Sequence, residues 1–253
     1  MDDATVENAL TDIEGRYPPE LSKLLEDNRK RIIWQVQEVV RLVKPGGRVL
    51  DLGSGVVPFM PVLASLGYEV IMADDYGDAY YGDKKLSGML DFFQSIGVRI
   101  VRRDIFEKDF ADEFERLDMV TTHDSMEHWH NSPKRLFHDL WKRLNDDGLL
   151  WIGVPNNANL RKRLTLLLGR AKWSQMADWY EQPVFRGHVR EPDVDDLRYI
   201  ARDLGAGRAE IAGRNWIGYR HPSALVRKLT PALDGLLQLR PSLCSDIYLY
   251  AWK

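Results

Sequence analysis

The sequence predicts an α/β fold, with a doubly wound, mostly parallel seven-stranded sheet that has helices on both faces. Short apolar segments alternate with amphipathic segments of helical length, and glycines close several of the helical segments. Parallel strands need crossover connections, which helices supply. The chain has 253 residues, of which 44% are hydrophobic, and this is enough for a sizeable core.

The predicted elements follow from apolar spacing and from the residues that end each run. Between Leu21 and Val43 apolar residues recur every three or four positions, which predicts a helical lead-in over residues 1–44. The alternating part of the chain predicts strands at 48–52, 69–73, 98–101, 117–122 and 149–154, helices at 58–66, 84–96 and 132–144, and a turn at 145–148. Beyond residue 155 the pattern predicts helices at 157–170 and 192–204, an irregular stretch at 171–190, and strands at 208–213 and 246–252.

These elements predict one domain over residues 1–253. Its parts are the lead-in 1–44, a ligand-binding core 45–155, a lid 156–190 and a C-terminal part of the sheet, 191–253, with an amphipathic insertion at 222–240. The leucines of the insertion predict a homodimer face or packing within the lid. A membrane-surface role is disfavoured, because the insertion lacks a basic face.

Composition excludes several classes of protein. A formal net charge of −3 argues against nucleic-acid binding, which needs a dense basic face. The single cysteine, Cys244, excludes an internal disulfide framework and a cysteine-based zinc site. The first ten residues have no apolar signal core, and no stretch reaches 18 consecutive apolar residues, so we expect a cytoplasmic protein without a membrane span.

A nucleotide-type site is predicted where the first strand ends. The run 49–55 reads VLDLGSG and contains Asp51, Gly53, Ser54 and Gly55, so two glycines stand where a strand turns into a helix. Glycine lets the backbone approach a ligand closely and adopt positive φ. The second strand ends in acidic residues that can accept the hydroxyl hydrogens of a ribose; these are Asp74 and Asp75. The third glycine of a dinucleotide fingerprint is missing, which disfavours a nicotinamide dehydrogenase.

A second motif follows the fourth strand. Asp124, Glu127 and His128 are spaced i, i+3, i+4, so a helical turn would place them on one face. Two carboxylates and an imidazole suit Mg²⁺, Mn²⁺ or Zn²⁺. His188 is the best candidate for a fourth ligand, because its loop precedes the helix that leads to the sixth strand. Two alternatives stay open: Glu127 and His128 brace the loop, or they work as acid and base without metal.

Two further histidines are candidate general bases. An unperturbed imidazole titrates near pH 6.5, which suits removal of a hydroxyl proton. His123 stands at the tip of the fourth strand and His130 lies just beyond the second motif. A packed polar residue is an equally good interpretation of His123.

In their order and spacing, these motifs resemble the class I S-adenosylmethionine-dependent methyltransferases. The resemblance covers residues 45–155 and resumes at 187–213 and 246–252. It implies a Rossmann-like fold with S-adenosylmethionine as cofactor, and it implies that Asp74 binds the ribose. It further implies that Asp104 meets the adenine amine with Ile105 beside the ring, and that His123 faces the methionine end of the cofactor.

The second motif resembles the E-x-x-E-H pattern, with a distant histidine, of two branches of this family. These are the ubiquinone-pathway O-methyltransferases and the small-RNA 2′-O-methyltransferases, and in both the resemblance implies a divalent ion that positions a hydroxyl. Here the shorter Asp124 stands in place of the first glutamate. We expect Mg²⁺ first, with Mn²⁺ and Zn²⁺ as alternatives.

The sequence therefore predicts an S-adenosylmethionine-dependent O-methyltransferase that acts on a hydroxyl of a small polar acceptor. Four lid aromatics suit stacking on a sugar face, so a carbohydrate is the preferred acceptor; they are Trp173, Trp179, Tyr180 and Phe185. A metal-free enzyme acting on phenols is the first alternative, and a non-catalytic nucleotide-binding scaffold is the second. The acidic net charge disfavours an RNA acceptor.

Overall fold

Seven strands form the sheet of the computed structural model, which describes residues 2–77, 83–171, 174 and 176–253. The strands are β1 (Arg48–Leu52), β2 (Glu69–Asp74), β3 (Arg99–Arg102), β4 (Leu117–His123), β5 (Leu144–Pro155), β6 (Arg208–Arg214) and β7 (Asp246–Trp252). Their order across the sheet is β3-β2-β1-β4-β5-β7-β6. The predicted seven-stranded sheet with helices on both faces is confirmed.

The helices connect these strands in the alternation that the sequence predicts. The described α-helices are α1 (Asp3–Glu14), α2 (Ser22–Leu42), α3 (Phe59–Ser65), α4 (Asp83–Ser95), α5 (Lys134–Arg143), α6 (Leu160–Leu167), α7 (Met176–Tyr180), α8 (Val194–Asp203), α9 (Trp216–Tyr219) and α10 (Ala224–Gln238). Helices α1 and α2 form the lead-in, α3 to α5 lie between the first five strands, and α8 precedes β6.

Strand pairing explains why the candidate residues gather at the ends of strands. β1 runs parallel to both β2 and β4, with Asp51 opposite Met72 on one side and Thr121 on the other. β2 also runs parallel to β3, whereas β6 and β7 are antiparallel. In an open α/β sheet ligands bind at the carboxyl ends of the parallel strands, near the point where the strand order reverses. Here the strand order reverses between β1 and β4.

The chain divides into two compact units. The first contains residues up to Thr121 together with Lys142–Leu149, and the second contains Thr122–Trp141 together with Leu150–Lys253. Leu50, Phe59 and Met72 are among the fully buried residues of the first unit, and Trp151 and Tyr248 are among those of the second. The organisation as a single domain stays a prediction. No helix in the described ranges is long and apolar enough to cross a membrane.

Two elements begin three or more residues away from the predicted position, and most other boundaries differ by one or two residues. β5 begins at Leu144 rather than at residue 149, although the chain still bends, since a Cβ on Gly148 would lie 2.8 Å from the carbonyl oxygen of Asn145. Helix α6 begins only at Leu160, because the side chain of Asn159 caps it by accepting the backbone N–H of Lys162 at 3.0 Å.

Candidate functional site

The loop after β1 has the backbone conformation that a close ligand approach requires. Gly53 and Gly55 have φ values of +65° and +53°, a region that side chains with a Cβ rarely adopt. The hydroxyl of Tyr17, in the lead-in, donates to the carbonyl of Val56 at 2.7 Å and holds the end of the loop. Between the two glycines the Ser54 hydroxyl is buried and has no hydrogen-bond partner among the described residues.

Asp74 ties this loop to the end of β2. Its two carboxylate oxygens accept the backbone N–H groups of Gly55 at 2.9 Å and of Tyr76 at 2.7 Å. Burial raises the pKa of this carboxyl, and the two N–H donors lower it in part. Each oxygen keeps a second lone pair that can accept a hydroxyl hydrogen. Asp75 is exposed, and one of its oxygens accepts the N–H of Gly77 at 2.8 Å.

Asp51 is a buried acid beneath the loop. The hydroxyl of Thr121 donates to its Oδ1 at 2.7 Å. Burial raises the pKa of Asp51 to about 7, and the negative charge of Asp74 adds to the rise. A carboxyl with such a pKa exchanges its proton near neutral pH, which is frequent at functional sites.

The predicted adenine-binding residues follow β3 in the same unit. Asp104 is exposed and its Oδ1 accepts the backbone N–H of Phe106 at 2.9 Å, which fixes the turn. Ile105 is buried. The first unit therefore contains, on successive strand ends, every predicted cofactor residue except His123.

Three side chains of the second motif converge in the second unit. One ligand atom each from Glu127, His128 and His188 lie within 4.8 Å of one another. The backbone brings them together, because the N–H of Val189 donates to the carbonyl of Glu127 at 2.7 Å. His188 thus lies beside His128 although 60 residues of sequence separate them, and its assignment as a metal ligand stays a prediction.

Both imidazoles are oriented through one ring nitrogen. Nδ1 of His128 lies 2.9 Å from the carbonyl oxygen of Arg186, so this nitrogen carries the proton. Nδ1 of His188 lies 2.7 Å from Oε1 of Glu191, which sits beside the buried ammonium group of Lys162. A bond of this kind fixes the tautomer and leaves Nε2 as the free donor atom, as in the outer shell of metal sites.

The environment keeps His188 neutral. Burial lowers the pKa of His188 to about 4; repulsion from His128, when that ring is protonated, and from the Lys162 ammonium group acts in the same direction, while Asp124 opposes them. A neutral imidazole is the form that binds a metal ion.

Asp124 does not share a helical face with the other two residues of its motif. The helical turn is a single 3-10 turn over Met126–His128, and Asp124 lies before it with φ at +48°. Its N–H donates to the carbonyl of Gly153 in β5 at 2.9 Å, so the backbone of Asp124 is hydrogen-bonded to the sheet and not to the 3-10 turn. Among the described residues the converging group comprises Glu127, His128 and His188 and does not include Asp124. Its assignment as a ligand stays a prediction.

The two candidate bases lie in different surroundings. The ring of His123 packs edge-on against Trp151 at 4.3 Å and against Tyr248 at 5.8 Å. His130 is exposed. The aromatic contacts favour the interpretation of His123 as a packed residue, and its roles as base or cofactor contact stay predictions.

Comparison with known proteins identifies the family. A family model described as a methyltransferase domain matches residues 16–206, which is 191 of the 253 residues. The chain belongs to this methyltransferase family. It is an S-adenosylmethionine-dependent methyltransferase. No curated protein sequence matches it.

Solved structures share the fold of this methyltransferase at low sequence identity. An S-adenosylmethionine-dependent methyltransferase of Thermotoga maritima, described as a possible histamine N-methyltransferase, has a TM-score of 0.57 at 15% identity, over 96% of this chain and 99% of that one. Magnesium protoporphyrin IX methyltransferase of Synechocystis, with bound S-adenosylhomocysteine, has a TM-score of 0.54 at 15% identity, over 97% and 93%. At such identities the likeness shows the fold and leaves the acceptor open.

The loop after β1 fits the cofactor on its own chemistry. Ser54 offers a buried hydroxyl without a partner among the residues described, and the two positive-φ glycines leave the backbone accessible. Asp74 has lone pairs left for a ribose. Ser54, Asp74 and the loop backbone would hold the nucleoside part of S-adenosylmethionine.

The donor set of the second unit fits a divalent ion of borderline hardness. It has one buried carboxylate and two neutral-capable imidazoles with oriented rings. Imidazole suits Zn²⁺ and related ions, whereas Mg²⁺ prefers oxygen ligands throughout. Two imidazoles among three donors are therefore more typical of Zn²⁺ than of Mg²⁺ or Mn²⁺, and the identity of the ion stays a prediction.

The structure adds two residues that sequence reasoning missed. Glu191 orients His188 from three positions away, a spacing that is readable in the sequence. The Lys162 ammonium group forms an ion pair with the Glu191 carboxylate from 29 positions away, and no local sequence pattern indicates this pair.

The lid residues are only partly available for an acceptor. Trp179 and Tyr180 are exposed, and their ring centroids lie 6.5 Å apart. Phe185 is half-buried, and Trp173 lies outside the described residues. Asn156 donates to the carbonyl oxygens of Ser242 and Cys244, so its amide group is engaged within the fold.

Proposed function

We propose that this methyltransferase methylates a hydroxyl oxygen of a small polar acceptor, with a sugar or oligosaccharide as the preferred class, and that a divalent ion assists. The observation that carries the proposal is the convergence of Glu127, His128 and His188 within 4.8 Å. Methyl transfer to a neutral amine does not need such a set, because its nitrogen is already a good nucleophile, whereas a neutral hydroxyl oxygen is a poor one. An alcohol must lose its proton.

The cofactor and the ion divide the chemistry. S-adenosylmethionine supplies an activated methyl group on a sulfonium when it is bound. A divalent ion held by Glu127, His128 and His188 would supply a Lewis acid that makes an acceptor hydroxyl easier to deprotonate. In the transfer the carbon–sulfur bond breaks, the carbon–oxygen bond forms and the hydroxyl proton passes to a base.

Residues of the chain itself hold and orient the two imidazoles. Glu191 and the carbonyl of Arg186 fix the imidazoles of His188 and His128, so neither ring has to reorganise when a ligand binds. Holding the reactants in line supplies about 7–11 kcal/mol of barrier reduction in well-oriented systems. His130 is exposed and can pass a proton to water, and His123 is the second candidate base.

The acceptor class rests on the exposed rings of Trp179 and Tyr180. Aromatic faces stack on the apolar face of a sugar. Both rings lie in the second unit, as the candidate metal ligands do.

Transfer of a labelled methyl group to a panel of sugars, oligosaccharides, phenols, amines and RNA tests the acceptor. We expect turnover with a hydroxylated carbohydrate. Turnover with amines alone would refute O-methylation, and turnover with phenols alone would refute the carbohydrate assignment. Calorimetry with S-adenosylhomocysteine on the same sample verifies the cofactor site independently.

The same assay with and without EDTA tests the ion. We expect activity to fall with the chelator and to return on addition of Zn²⁺ or Mn²⁺. Glu127→Gln should lose the metal stimulation, and the matched control Glu210→Gln, at an exposed position on β6, should keep it. Full turnover in excess EDTA would remove the ion from the mechanism and leave the metal-free alternative.

A further inference from the structure

Helices α6, α9 and α10 leave an apolar surface at one part of the second unit. We name it the α6–α10 surface and define it by residues 157–171 and 215–243. On α10 the spacing of Leu225, Leu229 and Leu236 places them on one helical face, and all three are exposed. Leu167 and Leu239 are 83% and 82% exposed. Contiguous exposed apolar surface of this kind marks a protein or membrane contact.

A cavity of about 440 Å³ opens within this surface. Its walls come from all three helices and are mostly apolar. They include Leu164 and Leu168 of α6, Ile217 of α9, and Leu233 and Leu237 of α10. The cavity therefore has room for a hydrocarbon tail beside the exposed leucines.

The charge of the surface is opposite to that of the rest of the chain. Residues 157–171 and 215–243 contain eight lysines and arginines and a single acid, whereas the whole chain has a net charge of −3. The acid, Asp234, is buried and accepts hydrogen bonds from Asn215 at 2.7 Å and from Tyr219 at 3.1 Å. Four exposed basic side chains form no ion pair with any acid that the structure describes; they are Arg161, Arg170, Lys228 and Arg240.

The sequence alone gave the 222–240 insertion no basic face, and α6 now supplies one. Exposed leucines with a basic rim are the pattern of helices that lie in the interface of a membrane. Lysines and arginines at such a position are attracted by anionic lipids. A second copy of the chain would bring the same positive patch against itself in an isologous contact, which like charges oppose.

We infer that the α6–α10 surface docks on an anionic lipid membrane, with the leucines in the interfacial layer and the basic side chains on the headgroups. This inference stands apart from the acceptor and from the metal ion, because binding to lipid requires neither.

Sedimentation of the full chain with vesicles tests the inference. We expect binding to vesicles of phosphatidylglycerol and phosphatidylcholine, and little binding to phosphatidylcholine alone. Each basic residue near such a surface contributes about fivefold in partitioning. The double variant R161E/K228E should therefore bind at least tenfold more weakly, and 0.5 M NaCl should weaken the wild type similarly.

Control variants at other exposed positions test whether binding depends on the α6–α10 surface itself or only on the overall charge and apolarity of the protein. R198E/R208E makes the same charge change at exposed positions on α8 and β6 and should bind as the wild type does. L225E/L236E should lose binding, whereas Y199E, at a comparably exposed residue of α8, should keep it.

Three results would overturn the inference. One is equal binding to neutral and anionic vesicles, and another is unchanged binding by R161E/K228E. The third is absence of binding to anionic vesicles by the wild type; a dimer that L225E/L236E converts to a monomer in sedimentation equilibrium would then assign the surface to a second copy.

Discussion

Asp51 gives the methyltransferase a pH-dependent stability that Asp51→Asn removes. The carboxyl is buried beneath the cofactor loop, and its pKa is raised from 3.8 to about 7. Between pH 4 and pH 7 the unfolded chain releases this proton while the folded chain keeps it, so the folded state binds more protons and loses stability as the pH rises. At about 1.4 kcal/mol for each pKa unit, the loss at pH 8 reaches about 4 kcal/mol.

The asparagine variant keeps the shape and can still accept the hydroxyl hydrogen of Thr121. At pH 4 the free energies of unfolding of Asp51→Asn and of the wild type should differ by a constant that reflects the substitution itself. At pH 8 the variant should be more stable than the wild type by up to about 4 kcal/mol beyond that constant. Urea unfolding of both proteins at pH 4 to 8.5, without cofactor, measures this difference.

A control accounts for the loss of one carboxylate. Asp91→Asn removes an exposed acid from α4, and its free energy of unfolding should differ from that of the wild type by less than about 0.5 kcal/mol. A difference between Asp51→Asn and wild type that stays constant from pH 4 to pH 8.5 would refute the argument, because it would mean that the folded protein does not retain the proton.

Three other substitutions test packing and charge. In Gly153→Ala the new Cβ would lie 2.4 Å from the Tyr248 ring and 2.8 Å from the His123 ring, so urea unfolding should show a loss of about 1–3 kcal/mol; no loss would contradict the packing of His123. Glu191→Leu leaves the Lys162 ammonium group buried without its partner and should cost about 3–5 kcal/mol, whereas the double variant with Lys162→Met should recover most of it. Gly55→Ala forces a Cβ into a φ of +53°, which should cost about 1–2 kcal/mol and weaken S-adenosylhomocysteine binding in calorimetry; unchanged stability and affinity would contradict the role of this loop.

The sheet could be predicted because its signals are local. Most core strands contain a short apolar run with a glycine or a charged residue after the strand, and β1 has the bounds that the sequence predicts. The start of β5 could not be predicted, because Asn145 has turn-forming neighbours in sequence while its amide donates to Asp118, at the beginning of β4, at 2.7 Å.

The candidate sites could likewise be predicted from the sequence only in part. The glycine loop and Asp74 could be predicted from spacing, but the bond from Gly55 to Asp74 joins residues 19 positions apart and depends on strand register. The spacing of Asp124 suggested a shared helical face, yet a left-handed backbone places it outside the turn. Aspartate tolerates that conformation better than most residues, so the spacing alone was not decisive.

Direct measurement of metal binding tests whether Glu127, His128 and His188 hold a divalent ion. Metal-free wild-type protein is titrated with Zn²⁺ and with Mn²⁺ in a calorimeter, beside Glu127→Gln, His188→Gln and the exposed control Glu210→Gln. The convergence of Glu127, His128 and His188 predicts one ion for each wild-type and control chain, and at least tenfold weaker binding in the other two variants. Wild-type protein that binds neither ion, or equal binding in all four proteins, would contradict the account.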